Sequence, residues 1–466
     1  MIYRFLKLLL GLAVRVFYRN LEVKGLENIP SSGPLILVAN HPNTILDPIA
    51  IGTSVDRELF FLAKGILFKS KMLKWLLPKC NVIPIYRAQD DSTEMTKNED
   101  TFAKCFEHLA GGGTLLIFPE GISLNERKLR KIKTGTARIA LGAEEANDFK
   151  LGLNIVGIGL NYSSHHRFHS DLFINIAKPI QVNLHKEAYR KDPIAATVSL
   201  TDAIRKNMEQ QIIAIEDDGI DRLVKQIETI YKSQLLRDLG YSPKMKEQDF
   251  LVTRAISDIV HFYQLKDPPR VEKMQSDIDA YFFILNELEL TDSLVKKFPS
   301  GGSAFLRSLA NLLYFVVGLP FFLFGAATNY LPFKIPEWIA KKIIPSREYL
   351  GSVVLLTGVL TFTLFYLLQL WLVQHFFQNF LFTVAWLAAM PLAGFFAYFY
   401  AKRLSLIRGR WKILSLFNRR NELISSILDM RKQLIDELEK GRKEFLEQEV
   451  ANIEPLSPVT EARKFE

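Results

Sequence analysis

Disulfide frameworks and metal-ligand spacings are missing from this chain. It has only two cysteines, Cys80 and Cys105, which exclude a disulfide scaffold and a thiolate metal site. Both are expected as small buried apolar residues. No serine sits in a nucleophile-elbow pattern and no metal triad is spaced for ligation, which counts against a hydrolase. No cleavable secretory segment is expected in 1–18, because Arg4, Lys7 and Arg15 interrupt its apolar run and no small-residue cleavage pattern follows. The pattern predicts an amphipathic helix over 1–19 lying in a membrane interface, its basic residues reaching the head groups.

Charge is missing from two long stretches. Residues 308–333 and 349–401 hold no Asp, Glu, Lys or Arg. About 20 apolar residues cross a bilayer, so the second stretch predicts two spans, 350–373 and 378–400, joined at Gln374, His375, Gln378 and Asn379. Lys341, Lys342 and Arg347 precede the pair. Lys402, Arg403, Arg408, Arg410, Lys412, Arg419 and Arg420 follow it, with no acid in 402–420. Basic flanks face the cytoplasm. The first stretch contains Gly318, Pro320 and Pro332, and is expected as a broken, re-entrant helix within a membrane region over 306–401. The expectation is a multi-pass membrane protein with its amino-terminal domain on the cytoplasmic face.

Net charge is +9, which suits an acidic surface or substrate. Nucleic acid and anionic lipid both fit that sign; the expected partners are anionic membrane lipids, with no nucleic acid. After the basic 402–420, Leu423, Ile427, Met430, Leu434 and Leu438 form one helical stripe, fit for packing or for self-association through 421–450. Residues 451–466 are expected as a disordered tail, and 186–305 as a helical extension broken around Pro243 and Pro268–Pro269.

Residues 20–185 alternate strand and helix signals. Leu35–Ala39, Leu59–Ala63, Thr114–Phe118, Ile155–Leu160 and Leu172–Ile176 read as strands, and Phe102, Cys105, Phe106 and Leu109 as one helix face. The fold class is α/β, a sheet flanked by helices, followed by a helical region and carboxy-terminal membrane helices.

Three clusters end strands, where α/β folds gather their sites. The first is Asn40-His41-Pro42-Asn43-Thr44-Ile45-Leu46-Asp47. A histidine oriented by a carboxylate is a general base, and the alternative is a capping or surface pair. The second is Phe118-Pro119-Glu120-Gly121-Ile122-Ser123, followed by Arg127, Lys128, Arg130, Lys131 and Lys133 against one acid, Glu126. That loop is a candidate anion site, or else a solvated basic loop. The third is Val82-Ile83-Pro84-Ile85-Tyr86-Arg87, whose guanidinium suits a phosphate.

These clusters, in this order, resemble the glycerolipid acyltransferase family over about residues 25–180. Asn40, His41 and Asp47 resemble its first motif, Arg87 its second, Phe118–Gly121 its third, and Ile155–Ile158 its fourth. Lys133 and Gly135 fall where the family has a Lys-Gly step. The resemblance implies His41 as base and Asp47 as its partner. It implies Asn40, Arg87, Glu120, Gly121, Arg127, Arg130 and Lys133 as substrate contacts. It also implies acyl-CoA or acyl carrier protein as co-substrate, a glycerol phosphate or lysophospholipid acceptor, and no metal or redox cofactor. Three departures stand out. Five residues separate His41 from Asp47 where the family has four, Ile122-Ser123 replaces Thr-Arg, and Gly157 replaces a proline. The extra residue, with Asn161-Tyr162, resembles the branch of fungal-type glycerol-3-phosphate acyltransferases. The alternative class is a non-catalytic membrane protein that binds lipid or a partner on the same fold.

Overall fold

The computed structural model describes residues 2–86, 96, 98–242, 244–296, 304–344, 346–419 and 421–453. The chain divides into two compact units. The first comprises Met1–Glu216, Lys244–Phe250 and Leu331–Gln369, and the second Asp217–Pro243, Leu251–Tyr330 and Leu370–Glu466.

The first unit opens with α1 (Ile2–Phe17) and β1 (Tyr18–Lys24). Then come β2 (Leu35–Ala39), α2 (Leu46–Ser54), β3 (Leu59–Lys64), α3 (Lys71–Leu76), β4 (Val82–Ile85), α4 (Asn98–Ala110), β5 (Thr114–Ile117) and α5 (Gly135–Glu145). Next are β6 (Asn154–Tyr162), β7 (Ser170–Ile176), β8 (Ile180–Gln181), α6 (Lys186–Lys191) and α7 (Pro193–Glu209). The sheet order is β1-β7-β6-β2-β5-β3-β4, with β8 paired to β6. β2 runs parallel to both neighbours, Leu35 standing opposite Thr114 of β5 and Asn154 of β6. β7 is antiparallel to β6.

β2 is buried throughout because each face carries its own helical layer. Side chains alternate across a strand. Ile36 and Val38 therefore join the cluster formed with Cys105, Leu109, Ala140 and Ile204. Leu35, Leu37 and Ala39 join Val14, Phe17, Leu46, Ile51 and Leu355 on the other face. Cys105 is wholly buried as expected, and burial pushes its thiol up to about 12. β1 was not legible as a strand: its alternation is weak, and its place comes from parallel pairing with β7. The amino-terminal helix stops at Phe17. One side packs, with Val14 and Phe17 buried, and the other leaves Phe5, Leu8 and Leu12 exposed.

The second unit is helical: α8 (Asp218–Ile227), α9 (Ser233–Asp238), most of α10 (Lys246–Lys266), α11 (Pro268–Glu287), α12 (Asp292–Lys296), parts of α13 (Ala304–Ile343) and α14 (Arg347–Phe377), and all of α15 (Phe380–Arg419) and α16 (Asn421–Ile453). Windows at Ala310–Ile343, Glu348–Phe377 and Phe380–Gly409 are long and apolar enough to cross a membrane. The expected break at 308–333 is not there. α13 runs as helix through Gly318, Pro320 and Pro332. A neighbour supplies the reason: Gly325 lets α13 lie against the Ala393 carbonyl, and Asn329 donates to the Met390 carbonyl at 3.0 Å. Such small-residue contacts and satisfied amides let helices pack closely in an apolar setting.

Part of the stripe on α16, Ile427 and Leu434, packs within this unit together with Ile424, and the Tyr263 hydroxyl donates to the Gly441 carbonyl at 3.0 Å. The expected tail beyond 453 lies outside the described residues. Beneath α16, Asp292 takes the Arg431 guanidinium at 2.7 Å and the Tyr281 hydroxyl at 2.9 Å.

Removing one partner of a buried ion pair strands the other. Arg431→Met should therefore destabilise the helical unit by about 3 kcal/mol, seen as a lower thermal midpoint of the detergent-solubilised protein. Adding Asp292→Asn, which removes the stranded charge but keeps a partner for Tyr281, should recover much of the loss. An unchanged midpoint for Arg431→Met would count against the account.

Candidate active site

The site forms where β2 and β5 end side by side in the sheet. β2 delivers Asn40 and His41, and the turn that follows leads into α2, whose second residue is Asp47. His41 Nδ1 stands 2.9 Å from Asp47 Oδ2. Asp47 is fully buried, whereas the His41 side chain keeps 20% of its exposure. Facing a carboxylate, Nδ1 is the donor, which leaves the Nε2 lone pair for chemistry.

A buried carboxylate needs its oxygens satisfied. The Asn43 amide donates to Asp47 Oδ2 at 2.7 Å, and the Tyr162 hydroxyl donates to Oδ1 at 2.7 Å. Burial, and then the charge of Asp47, hold the Tyr162 phenol well above its ordinary range, so it remains a donor. In the turn between His41 and Asp47, Thr44 adopts φ 40°. A non-glycine residue reaches that left-handed region only when its surroundings hold it there.

β5 delivers the second cluster. Phe118 stacks on the His41 ring, centroids 4.0 Å apart and planes 19° apart. Glu120 Oε1 accepts the His41 amide at 3.1 Å, and Oε2 accepts the Arg130 amide at 3.2 Å. Burial pushes the Glu120 carboxyl up, and the two amides offset this only in part. Gly121 has φ 71°, and a Cβ there would come within 2.9 Å of Lys133 Nζ. Glycine thus lets the ammonium lie over the turn. Ser123, where the resembled motif carries Arg, instead accepts the Thr44 amide at 2.9 Å and ties the two clusters together.

The structure therefore brings His41, Asp47, Glu120, Gly121 and Lys133 into one place. Arg130 pairs with Glu126 on the same loop. The Arg127 carbonyl accepts the Ile215 amide at 2.7 Å. Asn40 points elsewhere: its amide clasps Leu160 of β6 in both directions, at 3.1 and 2.7 Å, and so joins strands instead of lining the site. Arg87 lies outside the described residues. Among the described residues no group of three His, Cys, Asp or Glu is placed to hold a metal. Sequence reasoning did not assign Tyr162 a role. Its signals are the Asn161-Tyr162 pair and its position at the end of β6, beside β2.

Residues 20–160 match the family model described as Acyltransferase. Among known proteins, the chain is 27% identical over 227 residues to glycerol-3-phosphate O-acyltransferase 1 of Saccharomyces cerevisiae, covering 47% of this chain and 29% of that one. It is 29% identical over 135 residues to a chloroplastic 1-acyl-sn-glycerol-3-phosphate acyltransferase of Arabidopsis thaliana, covering 29% of this chain and 36% of that one. The matched segment thus spans well under half of either relative's length. A crystal structure of the 1-acyl-sn-glycerophosphate acyltransferase PlsC from Thermotoga maritima is 20% identical, covers 44% of this chain and 79% of that one, and superposes with a TM-score of 0.31. That score is too low to transfer residue positions.

Tyr162→Phe takes one of three donors from a carboxylate with no access to water. A hydrogen bond to a charged group contributes about 1.5–3 kcal/mol, so the variant should show a lower thermal midpoint than wild type. An unchanged midpoint would mean that the Tyr162–Asp47 contact carries no such weight.

Proposed function

We propose that this protein is a membrane O-acyltransferase that moves a fatty acyl group from acyl-CoA or acyl carrier protein to the hydroxyl of glycerol 3-phosphate or 1-acylglycerol 3-phosphate. The observation that carries the reading is the His41–Asp47 pair, with the His41 backbone held by Glu120 beside the Gly121 turn over which Lys133 lies. The matched acyltransferase segment and the names of the relatives support the same class.

In the proposed reaction, His41 Nε2 takes the proton of the acceptor hydroxyl as its oxygen attacks the thioester carbonyl. Asp47 stabilises the imidazolium that forms. The tetrahedral adduct collapses, the C–S bond breaks, and the proton passes from His41 to the leaving thiolate. Lys133 and the loop Arg127–Arg130 offer positive charge to the acceptor phosphate. The thioester is the co-substrate, and no step runs through a metal or redox group.

The three apolar helices support a multi-pass membrane location. Within the first unit, the amino-terminal end of α14 lies against the turn after His41, so the site and the basic flank at Lys341 and Lys342 share one end of that helix. By the rule that basic flanks stay inside, the catalytic domain faces the cytoplasm.

Loss of a general base costs about 100- to 10,000-fold. With radiolabelled acyl-CoA and purified protein, His41→Ala should lose turnover by that factor while staying folded in the membrane, and Asp47→Asn should lose less. Lys133→Ala should raise the acceptor KM more than the donor KM. Running both acceptors identifies the substrate. Near-normal turnover by His41→Ala defeats the mechanism, and no acyl transfer by wild type to either acceptor defeats the function.

A further inference from the structure

We infer that the membrane-type helix α14 is part of the active site's framework, and that Ser352 is a positioning residue that holds the His41–Asp47 turn in shape. The proposal rests on the function above only for its kinetic consequence. The brace itself is a statement about structure.

The turn from His41 to Asp47 needs outside support. Thr44 sits at φ 40°, and Asn43 is fully buried. A strained residue persists only where its surroundings over-determine it, and a buried turn must find partners for its amides and carbonyls. α2 starts abruptly at Leu46, with no side-chain cap from its own N-cap residue Ile45.

Ser352 supplies what the turn lacks. Its hydroxyl donates to the Asn43 carbonyl at 2.8 Å and accepts the Leu46 amide at 3.0 Å. It also lies 2.8 Å from the Thr44 hydroxyl. Thr44 reaches one turn back on the same helix, to the Glu348 carbonyl at 3.3 Å. Ser352 is 1% exposed. One hydroxyl thus serves three consecutive parts of the turn: the strained residue, the carbonyl before it and the first amide of α2.

Its neighbour explains how the helix comes so close. A Cβ on Gly351 would stand 2.3 Å from the His165 carbonyl and 2.7 Å from the Asn43 side chain. One turn further on, Leu355 is buried in the same cluster as Leu46 and Ala50 of α2. The helix is therefore docked by packing as well as by hydrogen bonds.

The consequence follows from geometry. The Asn43 amide donates to the Asp47 oxygen that also faces His41. Relaxing the turn lets that oxygen move, and a misplacement near 1 Å at a reacting group can cost about 100-fold. Ser352 touches no reacting atom, so its loss should appear in kcat and not in substrate affinity. The segment carrying it lies outside residues 20–160, so the matched segment would borrow this brace from the membrane region.

The test uses full-length protein in nanodiscs with Ser352→Ala, Ser352→Thr and a control, Thr361→Ala. Among the described residues Thr361 bonds only to the Pro332 and Gly358 carbonyls on the apolar helices. Hydrogen exchange over the peptide spanning 41–48 is measured beside kcat, KM and the thermal midpoint. Ser352→Ala should raise exchange in that peptide and lower kcat by about 10- to 100-fold, with KM within twofold of wild type. Ser352→Thr, which keeps the hydroxyl, should recover kcat, and Thr361→Ala should match wild type in both readouts. Unchanged exchange over 41–48 in Ser352→Ala overturns the brace. Raised exchange with undiminished kcat overturns the positioning role. A kcat loss explained by a smaller folded fraction, or shared by Thr361→Ala, also overturns it. Absence of wild-type transfer to either acceptor is a failure of the proposed function alone, and the exchange result still decides the brace.

Discussion

Asp47 is a carboxylate with no exposure to water, and much of the first unit is arranged around keeping it satisfied. Three donors reach it, from His41, from the Asn43 amide and from Tyr162. Each comes from a different piece of local structure: a strand end, a turn and a neighbouring strand. Leaving any one oxygen unpaired in this setting is costly. The need to satisfy one buried group therefore fixes the imidazole orientation, the shape of the turn and the register in which β6 meets β2. The carboxylate is out of water, and the His41 side chain keeps 20% of its exposure.

The second cluster depends on the first in the same way. Glu120 holds the backbone of His41 with one oxygen and the backbone of Arg130 with the other. It works as a strut between the strand end and the basic loop. Ser123 adds a second tie through the Thr44 amide. The basic loop is accordingly pinned at Glu120, at the Pro119–Lys133 backbone contact and at Ile215. Cations on a pinned loop present charge in a defined place, as preorganised electrostatic stabilisation requires.

Much of this was legible in residue order. LILVA reads as a buried strand because five apolar residues lie between turn signals. His41, Asp47 and the Pro-Glu-Gly turn stand at strand ends by the same reading. β1 was not legible, because an edge strand with polar alternation has no pattern until its partner is known. The unbroken course of α13 was misread for a related reason. Gly318, Pro320 and Pro332 carry local signals for a break, and those signals lose when neighbouring apolar helices supply the packing that a lone helix lacks.

Composition and spacing by themselves determined the apolar stretches, the buried central strands and the pairing of a histidine with a carboxylate, because hydrophobic periodicity and side-chain chemistry are local properties of the chain. Tertiary structure alone decided which groups complete the site. It turned Asn40 toward Leu160 and brought Tyr162 onto Asp47. It set Ser352, some 300 positions away in sequence, against the turn after His41. These pairings arise from packing between elements far apart in the chain, and no local pattern encodes which distant side chain will fill a given gap.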